Sequence, residues 1–325
     1  MIRYKETLKN KKNLLAFSGG TDSSALFHIL LKENIPFDIA FVNYNTREES
    51  KLEQQMAENL AKEYNKKLYM LSIRLSGDSN FEKRARDIRH TFFEDIIHEE
   101  KYDNLITGHN LNDKTEWFLM QFTRGAGSME LFGMDPVTNK ETYKIIRPLI
   151  HVAKNDILLY LEAFNIPYSY DLSNDNKNFT RNKFRHEYVS KLVKEYSEGI
   201  RRTFDILEKE VETKKPKIIF RNEETIILEY KEDFVKATDI GLKIFGYVMS
   251  KAQREEMEEN EEIVVKVDDK SMVASIFKNK VIITPYIKRK MDKDTKNKMR
   301  NLNIPVKTRQ YLFDKADILK ILIKD

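Results

Sequence analysis

The 325-residue chain contains no cysteine. Disulfides, thiolate zinc sites, iron–sulfur clusters and sulfur transfer through a thiol of the chain itself are therefore excluded. No apolar run approaches the length needed to span a bilayer, and we find neither an internal repeat nor a low-complexity tail. Residues 1–13 are charged and lack the apolar middle of a secretion signal, so we expect a cytoplasmic location and no membrane partner.

What the chain does contain is enough apolar material for a substantial core and enough length for two domains, with 41% hydrophobic and 34% charged residues. A break in pattern near Pro216 predicts domains at 1–212 and 213–325. The net charge is only +5, but residues 288–309 hold nine Lys or Arg against two Asp. Such a block is usually a solvated face, and it gains meaning only beside a polyanionic partner.

A turn of small residues follows the apolar run at 14–17, and its members are Ser18, Gly19, Gly20, Thr21, Asp22 and Ser23. We call residues 18–23 the glycine turn. A strand that runs through such a turn into a helix aims backbone N–H groups and the positive helix end at one point, which suits a phosphate. The alternative is a tight turn with an ordinary N-cap and no ligand.

The glycine turn lacks the lysine of a Walker A loop. We therefore expect it to hold the pyrophosphate part of a nucleotide. Asp22 then becomes a candidate Mg²⁺ ligand, because Mg²⁺ is commonly held by one or two carboxylates together with phosphate oxygens.

Apolar strands alternate with helical segments through the first two thirds of the chain. We predict strands at 14–17, 37–42, 68–73 and 104–107, a further edge strand at 143–146, a glycine-punctuated loop at 125–133, and helices at 47–64, 81–97, from about 112, at 154–164 and up to about 210. This alternation predicts an α/β fold with a doubly wound parallel sheet, whose ligands bind beyond the carboxyl ends of the strands.

The pattern changes after residue 213. Strands are predicted at 218–220, 225–230, 263–267, 273–277 and 281–285, with one helix at 234–257. We therefore expect a helical linker followed by a smaller α+β domain.

A second group of polar residues follows the predicted fourth strand: His109, Asn110, Asn112, Asp113 and Glu116. Asp113 and Glu116 are three positions apart, so they share one face of the predicted helix and can orient a metal, an amine or each other. Acidic residues in a first helical turn are also ordinary complements of the helix dipole, so both interpretations stay open.

Two basic groups allow two readings each. They consist of Arg84, Arg86 and Arg89 on the predicted helix at 81–97, and of Arg181, Lys183, Arg185 and His186 after a polar stretch. Such side chains are usually solvated, but a nucleotide or RNA phosphate is a suitable partner for them.

Beyond the glycine turn, the chain carries a set of motifs in a fixed order: Phe41-Val42-Asn43 with Arg47 and Ser50, Asn80-Phe81-Glu82 with Ala85, Arg86 and Arg89, Gly108-His109-Asn110-Leu111-Asn112-Asp113 with Glu116, Arg124-Gly125-Ala126-Gly127, Arg147-Pro148-Leu149, and Asp171-Leu172-Ser173-Asn174 leading to Thr180-Arg181-Asn182 and Arg185-His186. Over residues 13–187 the chain resembles the N-type ATP pyrophosphatases of the PP-loop superfamily. Within them it is most similar to the branch that attaches lysine to a cytidine of tRNA.

This resemblance implies a Rossmann-like PP-loop domain that uses ATP and Mg²⁺. It implies that the C2 oxygen of the wobble cytidine, in an isoleucine tRNA with a CAU anticodon, attacks the α-phosphorus of ATP and releases pyrophosphate. Free L-lysine, as a neutral amine, then attacks the activated carbon and expels AMP. The resemblance also leaves room for a homodimer.

The resemblance also implies roles for individual residues. Asp113 or Glu116 takes the proton of the lysine amine, while Arg86, Arg181 and His109 belong to the catalytic group. Asn43 joins the glycine turn in nucleotide binding. Arg185, in the basic group at 181–186, binds RNA phosphate. Lys288, Arg289 and Lys290 also bind RNA, because similar proteins carry accessory domains that grip the tRNA in the loosely matching part after residue 213.

The chain departs from the family pattern at two places. Asn112 stands where the family commonly has the first of two adjacent aspartates, and Tyr44-Asn45 stands where histidine and glycine are common. The first departure bears on any metal or ammonium contact at position 112 and leaves the reaction class unchanged.

Three other functions are weighed against this one. A tRNA thiolase of the same superfamily would share the phosphate loop, but its sulfur transfer normally uses cysteines. A ligase fed by a glutaminase would need a nucleophile signature that we do not find. A catalytically idle RNA-binding relative would keep the fold without releasing pyrophosphate from ATP.

Overall fold

The computed structural model describes residues 2–45, 49–74, 81–169 and 180–323. It divides into two compact units, Met1–Glu208 and Lys209–Asp325. The division falls within one long helix, Ser190–Lys214, and the boundary that we predict after residue 212 falls in the same helix. None of the described helices is long and apolar enough to cross a membrane.

The first unit is built on a six-stranded sheet of order β3-β2-β1-β4-β6-β5. The strands are β1 (Asn13–Phe17), β2 (Asp38–Asn43), β3 (Leu68–Ser72), β4 (Asn104–Ile106), β5 (Val137–Asn139) and β6 (Lys144–Ile146). The helices are α1 (Lys5–Leu8), α2 (Thr21–Lys32), α3 (Glu49–Glu63), α4 (Phe81–Glu100), α5 (Leu111–Phe122), α6 (Ser128–Leu131), α7 (Lys154–Ala163), α8 (Thr180–Phe184) and α9 (Ser190–Lys214), with a π-helical segment at Arg185–Val189.

The sheet is parallel except for β5, which confirms the predicted doubly wound architecture. The predicted edge strand at 143–146 is wrong in its position. β6 lies between β4 and β5, because the three-residue β5 pairs antiparallel with it and takes the edge. The predicted loop at 125–133 also contains the short helix α6.

The centre of this sheet explains where a ligand can bind. From β1 the chain places β2 and β3 on one side and β4 and β6 on the other. The strand order therefore reverses between β1 and β4, and the loops after these two strands open a crevice at their carboxyl ends. Leu14, Leu15 and Ile106 are buried in β1 and β4, so the strands that carry the crevice are anchored in the core.

The second unit holds an antiparallel sheet of order β7-β8-β11-β10-β9. Its elements are β7 (Lys217–Arg221), β8 (Ile226–Glu229), α10 (Phe234–Ile244), α11 (Lys251–Asn260), β9 (Glu262–Val267), β10 (Lys270–Phe277), β11 (Lys280–Pro285), α12 (Lys293–Asn301), α13 (Arg309–Leu312) and α14 (Ala316–Ile323). The separate antiparallel sheet confirms the predicted α+β domain.

One predicted helix of this unit, 234–257, is wrong, because the structure has two helices there. α10 ends before Gly246, and Ser250 starts α11 with a capping box in which its hydroxyl accepts the backbone N–H of Gln253. The apolar pattern continues across this junction, whereas the capping residues interrupt the helix.

Candidate functional site

The glycine turn connects β1 to α2 at the centre of the parallel sheet. Gly19 has a φ of +77°, a left-handed conformation that favours glycine. The backbone N–H of Ser18 donates to the Ser23 hydroxyl at 3.2 Å, and that hydroxyl donates to the carbonyl of Gly20 at 3.1 Å. Since the N-cap Gly20 has no side chain to cap the first N–H groups of α2, these groups suit an anion.

Gly108 lets the loop after β4 approach the start of α2 closely. A Cβ atom at position 108 would lie 3.2 Å from Cβ of Asp22 and 3.3 Å from the backbone nitrogen of Ser23. The two loops that flank the crevice are therefore in direct contact. The predicted convergence of the first and fourth loops follows from this packing.

Asp22 receives hydrogen bonds from two other loops. The Lys154 ammonium group contacts Oδ1 and Oδ2 of Asp22 at 2.8 Å each and also donates to the Thr21 hydroxyl. Asn110 Nδ2 donates to Asp22 Oδ1 at 3.1 Å. Burial raises the pKa of Asp22, and the charges of Lys154 (lowering) and Asp113 (raising) act in opposite directions on it.

The predicted carboxylates and arginines form one ion-paired group. We call Asp113, Glu116, Arg181 and Arg185 the carboxylate–arginine cluster. Arg181 donates to Glu116 Oε1, and Arg185 donates to Glu116 Oε2 at 2.9 Å. Arg185 also donates to Asp113 Oδ1 at 3.2 Å, with Arg181 at 3.6 Å from the same oxygen.

Asp113 and Asn110 form a capping box that starts α5. Asp113 Oδ2 accepts the backbone N–H of Asn110 at 3.0 Å, and Asn110 Oδ1 accepts that of Asp113 at 3.1 Å. Burial alone would raise the pKa of Asp113, but the neighbouring His109 imidazole and the charges of Arg185 and Arg181 outweigh it and lower that pKa. Asp113 is therefore a stable anion in this arrangement and a weak proton acceptor.

His109 lies beside this cluster and is neutral near pH 7. Burial lowers the pKa of His109 to about 4 against the raising influence of Asp113, and the positive charges of Arg147, Arg181 and Arg89 act in the same direction as burial. The Thr107 hydroxyl lies 2.9 Å from His109 Nδ1. The imidazole can therefore form one hydrogen bond with the Thr107 hydroxyl without adding a positive charge to the crevice.

Asn43 and Asn112 have partners within the protein. The Asn43 amide donates to Gln54 Oε1 at 2.9 Å, and its oxygen accepts the backbone N–H of Asn45 at 2.9 Å. Asn112 Oδ1 accepts the backbone N–H of Lys154 at 2.9 Å. The residue that replaces a family aspartate thus caps α7, whose N-cap residue Ala153 has no polar side chain.

Arg86 is exposed on α4. Burial is the main cause of the lowered pKa of Arg147, and the positive charge of the nearby Arg86 lowers that pKa further. Arg89 reaches Tyr44, the second departure from the family pattern, and lowers the pKa of its hydroxyl, although burial raises that pKa overall. Arg47, Asn80 and Asp171 to Asn174 lie outside the described residues, as do the side chains of Phe81, Glu82 and Thr180.

Our sequence interpretation missed Lys154. It is the first residue of α7, where a basic side chain opposes the helix dipole. That unfavourable position was the available signal for a second role.

Of the four predicted RNA-binding residues, Arg185 lies in the carboxylate–arginine cluster of the first unit, whereas Lys288, Arg289 and Lys290 line a surface cavity of about 360 Å³ in the second unit. We call it the basic cavity, and its lining residues are Tyr286, Lys288, Arg289, Lys290, Val306, Lys307 and Gln310. Arg289 is held in place, because it donates to Asp314 Oδ2 at 2.8 Å and lies 4.5 Å over the Phe313 ring. The lysines therefore supply most of the adaptable positive charge.

A family model described as the PP-loop domain matches residues 2–192. With the glycine turn at the reversal point of a parallel sheet, this match makes the first unit a PP-loop ATP-binding domain. Among solved structures, the U34-tRNA thiolase NcsA from Methanococcus maripaludis shares this fold, with a TM-score of 0.51 and 21% identity over 63% of this chain and 74% of that one.

Relatives that match over nearly the whole chain identify the family within this class. The tRNA(Ile)-lysidine synthase of Campylobacter jejuni (strain RM1221) is 38% identical over 96% of this chain and 95% of its own. That of Helicobacter pylori (strain 26695) is 40% identical over 97% of this chain and 93% of its own. The chain belongs to the tRNA(Ile)-lysidine synthase family.

Proposed function

We propose that the chain is an ATP-dependent carbon–nitrogen ligase that attaches L-lysine to the wobble cytidine of an isoleucine tRNA with a CAU anticodon. The observation that carries this proposal is the meeting of the glycine turn, Asp22 and the carboxylate–arginine cluster at the ends of β1 and β4. The similarity to named synthases extends over nearly the whole chain.

In the first step, the phosphates of ATP lie on the glycine turn, where uncapped N–H groups and the start of α2 stabilise negative charge. The C2 oxygen of the cytidine attacks the α-phosphorus, and pyrophosphate leaves. The donor set fits Mg²⁺, because the partly exposed Asp22 carboxylate and the Thr21 hydroxyl already hold a cationic group between them. A Mg²⁺ ion bound there would neutralise phosphate charge.

Arg181 and Arg185 contribute charge from the side of α5. Both guanidinium groups are held by Glu116 and Asp113 in the crevice, where their fork geometry suits phosphate oxygens as well as carboxylates. Arg86 adds an exposed positive charge on α4. We propose that ATP draws these arginines toward its phosphates.

In the second step, the lysine amine attacks the activated C2 carbon, AMP leaves with its electron pair, and the amine loses a proton. Asp113 or Glu116 accepts that proton in our proposal. Paired with arginines, Asp113 is a weak base, since its pKa is lowered. Transfer of the arginines to ATP would remove that influence and restore the basicity of the carboxylate just when the amine needs it.

The second unit contributes the basic cavity, which we propose as a contact for tRNA phosphates. The homodimer and the cytoplasmic location remain predictions from the sequence.

The central experiment incubates the protein with ATP, Mg²⁺, labelled L-lysine and separate isoleucine and methionine tRNA transcripts. We expect label in the isoleucine tRNA alone, with pyrophosphate release that depends on that tRNA. Pyrophosphate release without label would indicate another nucleophile. Absence of both would indicate the idle RNA-binding relative.

The same assay tests the proton acceptor with Asp113→Asn. We expect lysine transfer to fall about 100-fold or more, because general-base catalysis contributes at least that factor. The asparagine oxygen can still accept the backbone N–H of Asn110, so α5 should keep its cap. Glu162→Gln, an exposed change on α7, serves as the control. Full lysine transfer by folded Asp113→Asn would leave Glu116 as the acceptor.

A further inference from the structure

Lys154 brings a basic side chain into direct contact with the glycine turn. Its ammonium group bridges both oxygens of Asp22 at 2.8 Å and contacts the Thr21 hydroxyl. The Lys154 and Asp22 side chains are 33% and 28% exposed, so the pair lies at the open side of the crevice. A ligand in the crevice can therefore reach it.

The position of Lys154 is fixed from two sides. Its backbone N–H donates to Asn112 Oδ1 at 2.9 Å, which ties the start of α7 to the first turn of α5. Asn110 Nδ2 holds Asp22 Oδ1 at 3.1 Å from the same segment. The ammonium group is thus delivered to the turn by tertiary packing across 132 residues of sequence.

The charge balance at Asp22 favours a cation. Asp22 lies close enough to Asp113 for their negative charges to repel, and the Lys154 ammonium offsets this repulsion. A divalent cation on Asp22 would offset it more strongly, and it would repel the ammonium group at the same place. The ammonium group also contacts the Thr21 hydroxyl, at the first residue of α2, so it already lies beside the helix end that suits a phosphate.

The glycine turn itself has no lysine, although a phosphate loop of the Walker type uses one as a point charge on the phosphates. We propose that Lys154 supplies this lysine from outside the turn: it holds Asp22 in the nucleotide-free site and binds a phosphate oxygen of ATP once a divalent cation takes Asp22. This inference rests on the proposed ATP site and names a phosphate-binding residue for it.

The test measures binding rather than turnover. The probes are Mn²⁺ alone, followed by electron paramagnetic resonance, and α,β-methylene-ATP with Mg²⁺, followed by calorimetry. The variants are Lys154→Met and Lys154→Gln, which remove the charge, and Lys154→Arg, which keeps it. Lys62→Met, at an exposed position on α3, is the matched control, and Asp22→Asn identifies the metal signal.

We expect the two neutral variants to bind Mn²⁺ about two- to fivefold more tightly, the range of a partly exposed ion pair, because the competing ammonium group is gone. They should bind the nucleotide about tenfold more weakly, since a charge-assisted hydrogen bond is lost. Lys154→Arg should stay close to the unaltered protein in both measurements. These opposite changes in one variant are not expected of a residue that only shapes the loop.

Unchanged binding of both probes in the neutral variants would overturn the proposal. Weaker binding of both probes would also overturn it, because Lys154 would then only support the fold of the turn. Failure of the unaltered protein to bind the nucleotide would instead contradict the proposed function. Mn²⁺ binding by Asp22→Asn at the original strength would contradict the metal site.

Discussion

His151 is a buried histidine outside the proposed site, in the turn between β6 and α7 of the first unit. Within the described part of the chain, neither ring nitrogen has a hydrogen-bond partner. Asp205 Oδ1 lies 3.5 Å from Nδ1 and Glu208 Oε1 lies 3.7 Å from Nε2, but Arg3 and Lys114 already pair with those carboxylates. Burial, followed by the charge of Lys114, lowers the pKa of His151 to about 4.

This histidine should make stability depend on pH. The unfolded chain binds a proton at the ordinary pKa of about 6.5, whereas the folded protein binds it only near 4. Between these values the unfolded state holds more protons, so the free energy of unfolding falls as pH decreases. The contribution is up to about 3 kcal/mol, from 1.36 kcal/mol per pKa unit.

The measurement is urea unfolding at several pH values for the unaltered protein and for His151→Gln. As pH falls from 6.5 to 4, the free energy of unfolding of the variant should increase relative to that of the unaltered protein. The difference in unfolding free energy between the two proteins cancels the contributions of His109 and of carboxylates that do not interact with position 151. A constant difference across this range would show that His151 is not the group responsible.

The roles of individual residues were only partly accessible from the sequence. The sequence places Asp22 and Asp113 in one region, since each follows a parallel strand that ends at the same sheet edge, whereas Arg181 joins them only through the family resemblance. The sequence does not predict which side chains form ion pairs, because Lys154 and Asp22 are 132 residues apart and meet only through tertiary packing. The same applies to Asn112, whose capping of α7 has no local sequence signature.

At the scale of elements, the site depends on the contact between the loop after β4 and the start of α2. Gly108→Ala would place a Cβ 3.2 Å from Cβ of Asp22 and 3.3 Å from its carbonyl carbon, so one loop must move. We expect weaker binding of α,β-methylene-ATP and a loss of about 1–3 kcal/mol of stability, as for other overpacked sites. Calorimetry and thermal unfolding would measure the two effects.

Gly199→Ala is the matched control for this change. Gly199 lies within α9, and a Cβ there meets no other atom within 4 Å. The variant should gain about 0.5–1 kcal/mol from the better helix propensity of alanine and leave nucleotide binding unchanged. Equal nucleotide affinity in both variants would contradict the importance of the close approach.

Most elements were predictable where hydrophobic pattern decides them. β1, β2, β3 and β4 are apolar runs bounded by turn residues, and the structure has a strand at each. The three-residue β5 is too short to produce a period, so the edge of the sheet was assigned to the wrong strand. In the second unit the junction before Ser250 was missed although its capping signal is in the sequence, because the apolar pattern continues through it.

For the whole molecule, the basic cavity links the second unit to the proposed tRNA substrate. The block at 288–309 suggested Lys288, Arg289 and Lys290 as one group. All three line the cavity, but Arg289 differs from the two lysines because it donates to Asp314 and lies over Phe313. Changing Arg289 would therefore disturb local folding as well as charge. Lys307, between α12 and α13, also lines the cavity. Lys307 is the better third position, because its ammonium group has only a longer contact, 3.7 Å, with Glu262 Oε2.

The last prediction concerns salt dependence. In a variant with Lys288, Lys290 and Lys307 all changed to Gln, tRNA binding should weaken, and the negative slope of log affinity against log salt should become shallower by about 2–3, since each lost phosphate contact contributes roughly 0.7–0.9 to its magnitude. Nucleotide binding should not change. The control replaces Lys231, Lys251 and Lys270, three exposed lysines of the same unit that lie outside the cavity. The net charge of the two variants is equal, so a general charge effect would make both slopes shallower alike, whereas phosphate contacts in the cavity would make only the first slope shallower.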